Sequence, residues 1–130
     1  MAIKLSASRF DMGAARVDSA VLKVKYGTIN ALGSVSGSQA MDFSLGNIVS
    51  ITAGGTLTLS ITNPPASGKT GTLVLLLTNG GAVSVSWPSG TTWLTGSAPS
   101  LTASGLDVIS FTTTDGGTTW RTHLLMLNSS

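Results

Sequence analysis

Val83-Ser84-Val85-Ser86-Trp87-Pro88-Ser89-Gly90-Thr91-Thr92-Trp93, then Ala98-Pro99-Ser100-Leu101-Thr102, then Asp107-Val108-Ile109-Ser110-Phe111-Thr112-Thr113-Thr114-Asp115-Gly116-Gly117-Thr118-Thr119-Trp120: this succession decides the fold class. Apolar and hydroxyl side chains alternate with the two-residue period of a half-buried strand, and each short run stops at proline or glycine. Asp115-Gly116-Gly117 reads as a hairpin turn, because glycine supplies positive φ without steric cost. Tryptophans flank the turns, and almost no side chain here can serve as acid, base or nucleophile. The stretch reads as a rigid β building block that works through its surfaces.

The pattern extends upstream. Leu57, Leu59 and Ile61 alternate with Thr56, Thr58, Ser60 and Thr62, and Asn63-Pro64-Pro65 ends the run because proline cannot donate to a ladder. Met41, Phe43 and Leu45 alternate with Asp42 and Ser44, and Ile48 to Thr52 follows the turn pair Gly46-Asn47. Thr72 to Thr78 is nearly continuous Leu and Val, as in a central strand buried on both faces. The outer side of such a strand needs a further layer or another subunit, since an exposed Leu-Val-Leu-Leu-Leu edge invites aggregation. About eight strands separated by regular turn signals predict an all-β fold, a two-sheet β-sandwich of jelly-roll type with an N-terminal extended arm. Residues 1–38 form the arm, with one strand at Val21 to Tyr26, and residues 39–130 form the sandwich; the Gly/Ser-rich stretch 33–38 is the joint.

The 130 residues are one domain's worth of chain, of which 42% are hydrophobic and only 9% charged. Mean hydropathy is +0.37. Charge this sparse, against about 25% in average soluble proteins, implies a surface hydrated by Ser, Thr and Gly, part of it covered by other subunits. The absence of cysteine excludes disulfides and thiolate zinc sites. No apolar run approaches the roughly 20 residues that span a bilayer, and no signal-peptide pattern opens the chain; neither membrane nor secretion is expected. The net charge of +2 is unevenly spread. Lys4, Arg9, Arg16, Lys23 and Lys25 fall in the first 25 residues against Asp11 and Asp18, so the arm reads either as a solvated tail or as a segment that docks on an acidic neighbouring surface. Phe10 and Tyr26 alone make a poor stacking platform, and nucleic acid is not expected as a partner.

Catalytic readings fail on residue chemistry. Gly68-Lys69-Thr70 ends like a P-loop, but Asn63 stands where the first glycine belongs and a strand follows where a helix is required. His123 is the only histidine, and the five acids are all aspartates without acid/base spacing. The expectation is no enzyme, no metal and no cofactor. Trp87 and Trp120 share faces with aliphatic residues and are expected in the core. Trp93, between Ser89 and Pro99, is the exposed aromatic that could stack on a sugar.

The ordered segments Met41-Asp42-Phe43-Ser44-Leu45-Gly46-Asn47, Thr58-Leu59-Ser60-Ile61-Thr62-Asn63-Pro64-Pro65, Val85-Ser86-Trp87-Pro88, Ala98-Pro99-Ser100-Leu101-Thr102 and Asp115-Gly116-Gly117-Thr118-Thr119-Trp120 resemble a module of tailed-bacteriophage structural proteins. The likeness covers roughly the last 90 residues. It implies a trimeric β-sandwich on a virion surface, as head decoration (cement) protein or as part of a tail fibre or tail tip. With a body joined to one short basic arm, the leading expectation is a homotrimeric cement subunit. It would be made in the host cytoplasm and reside on the capsid surface, where it clamps major capsid proteins. Lys4, Arg9, Arg16, Lys23 and Lys25 are then the candidates for shell contact. The alternative is a tail-fibre or tail-tip module that binds cell-surface glycan through Trp93; a free-standing carbohydrate-binding module is a third.

Overall fold

The computed structural model describes residues 28–128. Among the described residues seven strands run β1 Ile29–Asp42, β2 Ile48–Thr62, β3 Gly71–Thr78, β4 Val85–Ser86, β5 Thr91–Trp93, β6 Leu106–Thr113 and β7 Trp120–Met126. Single 3-10 turns occupy Phe43–Leu45 and Gly80–Ala82, and no α-helix occurs among the described residues. The all-β reading therefore holds. All strands join one mixed sheet in the order β1-β2-β3-β6-β7-β5, with β4 on β2.

The pairing of β1 with β2 is parallel, with Ile29 opposite Ile48 and Asp42 opposite Thr62. That register dictates the shape. A straight strand of 14 residues would extend roughly 45 Å, whereas the link through residues 43–47 reaches at most roughly 20 Å. The chain can return beside its own start only if β1 bends round. The ladder slips between Ala31 and Gly33 and again between Val35 and Gly37, and both glycines take positive φ, +72° and +81°. On β2 the matching bend is at Gly54-Gly55, where added β-carbons would lie 2.8 Å from the Ser34 hydroxyl and 3.1 Å from Ser36 Cβ. β1 and β2 are thus successive turns of a coil. The third turn is shared: β3 pairs with Ile48 to Thr52 and β4 with Leu57-Thr58, both parallel.

The hairpins expected of a jelly roll are met only beyond this coil. β6 runs antiparallel to β3, and β7 antiparallel to β6 through the turn at Asp115-Gly116-Gly117; both glycines have positive φ. Upstream of β3 the ladders are parallel, and the glycines at 33, 37, 54 and 55 lie where β1 and β2 bend. Two local expectations change with it. Phe43 and Leu45 lie in a 3-10 turn, and Gly33 to Ser38 is the bent middle of β1. Residues 29–38, read as arm, therefore belong to the sheet; Val21 to Tyr26 lies outside the described residues.

The inner face packs Met41, Val49, Ile51, Leu57, Leu59, Leu73, Leu75, Leu77, Ile109, Phe111 and Trp120, all at most 2% exposed. β3 is central, as its apolar run implied, but only Leu73, Leu75 and Leu77 are fully buried. Val74 and Leu76 point to the other side and are half-buried. There they extend cross-strand rows, Ile29–Ile48–Val74–Ser110–His123 and Ala31–Ser50–Leu76–Val108–Met126. Ile29 and Met126, at the ends of these rows, are more than half exposed.

Candidate functional site

The described tryptophans gather at the end of the body where β5 lies parallel to β7, Thr91 opposite Trp120 and Trp93 opposite Thr122. A tight turn delivers β5 to that place. Thr91 donates through its hydroxyl to the Pro88 carbonyl at 2.6 Å, and Gly90 turns with φ +84°. The Trp120 N–H donates to the Gly90 carbonyl at 2.9 Å. A β-carbon on Gly90 would overlap the Thr118 carbonyl oxygen, so only glycine lets the two backbones approach. Downstream, Leu94 N–H donates to the Thr122 carbonyl at 3.1 Å.

Trp120 lies in the core, as expected. Trp87 and Trp93 are half-buried and pack edge to face, with centroids 5.0 Å apart and planes at 78°; Trp87 also leans on Phe111 at 6.2 Å. Such pairs add about 0.5–1.5 kcal/mol beyond their buried area and hold ring orientation. Trp93, expected exposed in a loop, instead sits in a short strand, half-buried against the core.

Clefts open on both sides of the pair. On the Trp87 side, a cleft of about 330 Å³ is walled by Gly80, Gly81, Val83, Val85, Ala98, Pro99 and Leu101. On the Trp93 side, a groove of about 320 Å³ is lined by Thr92, Trp93, Leu94, Arg121, Thr122 and His123. It adjoins a hollow of about 200 Å³ that adds Thr95, Pro99 and Leu124. Arg121 and His123 share a face of β7, which the alternation of the sequence already implied. In the β5–β7 register Thr92 lies opposite Arg121 and Trp93 opposite Thr122, so Trp93 shares the core-facing side with buried Thr122 while Arg121 and His123 take the other face.

The described carboxylates are engaged elsewhere. Asp107, fully buried, accepts from Thr102 N–H and hydroxyl, both at 2.7 Å, and from Asn128 N–H at 2.8 Å. Asp42, for which the sequence suggested no partner, accepts from Asn63 Nδ2 at 2.9 Å, Ser44 hydroxyl at 2.6 Å and Ser44 N–H at 2.9 Å. The Asn63 and Ser44 donors hold its carboxyl below the ordinary value. Asp115 accepts from the Thr119 N–H and the Thr113 hydroxyl, both at 2.9 Å. The Thr119 N–H is the main cause of its lowered pKa, outweighing the opposing effect of burial. Each aspartate thus ties a turn or strand end.

Among the described residues no three His, Asp, Glu or Cys side chains gather as metal ligands, and no helix is long and apolar enough to cross a membrane. Lys4, Arg9, Arg16, Lys23 and Lys25 lie outside the described residues. No protein-family model, curated protein or solved structure matches this chain.

Proposed function

We propose that this chain is a bacteriophage virion structural protein, a capsid decoration or cement subunit that assembles as a homotrimer and clamps neighbouring major capsid proteins. The observation that carries the reading is the apolar outer side of the central strand, where Val74 and Leu76 continue rows formed by Ile48, Val108 and Met126. A sheet face of this kind is suited to burial against a second protomer. The charge-poor sequence and the engagement of the described aspartates in turns also favour a mechanical over a chemical role. The body is proposed as a two-layered sandwich in which the bent β1–β2 coil contributes to both layers and the β6–β7 hairpin widens one; the parallel strands replace a strict jelly-roll order.

In this proposal Lys4, Arg9, Arg16, Lys23 and Lys25 contact the shell. Packaged DNA pushes shell subunits apart, and a stiff body that buries area across their seam opposes that. A standard interface of about 1,600 Å² would suffice. Replacing these five residues together with glutamine in the full chain should abolish attachment to heads while the body stays folded. Undiminished attachment would remove the arm from the account.

A second reading, a tail-fibre or tail-tip module that recognises cell-surface glycan, is favoured by the groove beside Trp93. The two differ in stoichiometry. A cement subunit is abundant in purified virions on a stained gel, and a recognition module is scarce.

A further inference from the structure

We propose that assembly through the outer sheet face is controlled by pH: His123 lies within the contact between copies, and protonating it drives the copies apart. The inference rests on the homotrimer reading and adds to it the residue that regulates the contact.

The register places the histidine. Trp120, Thr122, Ile109 and Phe111 are buried on the core side, so strand alternation puts Arg121, His123, Ser110 and Thr112 on the outer face. His123 stands opposite Ser110, which stands opposite Val74. It ends the row that runs through Ile29, Ile48 and Val74, beside the row of Leu76, Val108 and Met126. Only β6 separates β7 from β3, so His123 lies roughly 10 Å from Val74 along the row. A contact of standard size, about 800 Å² on each partner, is wider than that and takes in the imidazole.

Nothing around the ring favours a charge on it. On β6 it faces Ser110, with Val108 and Thr112 to either side. On β7 its neighbour on the same face is Arg121, and towards β5 lie Thr92 and Leu94. Thr95 and Pro99 line the hollow at its far edge. Arg121 is the one charged group among these, and it is a cation. Ser110 is only 5% exposed, so water is already excluded beside the imidazole within one chain. A second copy brings the same face, whose rows among the described residues hold Arg121 and His123 and no carboxylate. Once covered, the ring is tolerated uncharged and is costly as a cation.

Separated chains therefore bind the proton more readily than the assembly does. Association is at full strength above the ordinary histidine range, near about pH 6.5, and weakens as pH falls through it. Each covered histidine contributes up to about tenfold per pH unit to the dissociation constant. An acidic partner over Arg121 and His123 would give the opposite slope and bind more tightly in acid. His123 is the only histidine in the chain. Asp42 and Asp115 titrate below 3.8, outside this window.

The test is sedimentation equilibrium of the full chain from about pH 8 to about pH 5.5 at constant ionic strength, with far-UV spectra at both ends. The wild-type protein should be a trimer at the upper end, and its dissociation constant should rise at least about tenfold towards the lower end with the β spectrum unchanged. His123→Gln should remain trimeric throughout. Arg121→Gln should move the transition to lower pH, because one repelling charge is gone. A wild-type trimer whose dissociation constant stays constant or falls in acid overturns the inference and leaves the homotrimer reading standing. So does a transition that persists in His123→Gln, or one accompanied by loss of the β spectrum. A His123→Gln chain that is single at every pH gives the ring a structural part in the contact and overturns the switch. A wild-type protein that is a single chain even at about pH 8 removes the homotrimer reading and the inference together.

Discussion

Asp107 shows at the scale of one residue how this chain uses its scarce charges. Its buried carboxylate has no cation beside it; three donors from Thr102 and Asn128 replace water. They join the loop before β6 to the chain leaving β7, across the first residues of β6. Hydrogen bonds to a charged group contribute about 1.5–3 kcal/mol each in mutational series, and orphaned donors add a cost. Asp107→Ala should therefore lower unfolding free energy by about 3 kcal/mol or more, measured by urea denaturation. A loss under about 1 kcal/mol would mean that water satisfies those donors. Asp42 and Asp115 act at the surface, and their signature is in pH. Both have folded-state values below the ordinary 3.8. Their stabilisation is fully present above that pH and fades as pH falls below it through the depressed values. Thermal melts should thus show an acid-side loss beginning near pH 4, and Asp42→Asn with Asp115→Asn should flatten that limb.

At the scale of elements, the glycines of β1 decide whether a long strand is straight or coiled. Gly37 takes φ +81° with open space where a β-carbon would be, so its requirement is conformational alone. Gly37→Ala should cost about 1–2 kcal/mol in unfolding free energy, with no cavity or clash to confuse the result. A neutral effect would mean that the bend is not held there. The same residues explain what could be read in advance. The two-residue periods of 57–62 and 107–113, the proline stop after Thr62 and the Gly116-Gly117 turn are local, and each produced its strand or turn in place. Leu73 to Leu77 announced a central strand for the same reason. The partners of β1, β2 and β5 are set by bends and by residues about 20 to 30 positions apart, where no neighbour in sequence carries the information. A Gly/Ser stretch reads equally well as a linker or as the corner of a coil, and 33–38 is a corner. Trp93 reads from the sequence as an exposed aromatic, but its pairing with Thr122 turns the ring inward against Trp87, a contact that no local pattern announces.

At the scale of the whole molecule, the coil gives the body two distinct surfaces. One end carries the tryptophan pair and its clefts, and the outer sheet face carries Val74 and Leu76 with Ile48, Val108 and Met126 beside them. A stiff body with a localised apolar face favours association without any chemical step, because rows already held by hydrogen-bonded strands lose little further entropy on docking. Leu76→Lys should disperse the proposed trimer and preserve the far-UV spectrum, since a lysine at a half-buried position can lie along the sheet and keep its ammonium in water. Loss of the β spectrum would instead assign Leu76 to the fold of the single protomer. The most direct measurement is the mass of the purified wild-type chain in solution by sedimentation equilibrium. The account predicts three times the 13.1 kDa of one chain, falling to one chain with Leu76→Lys. A wild-type protein that sediments as a single chain across the accessible concentration range would contradict it.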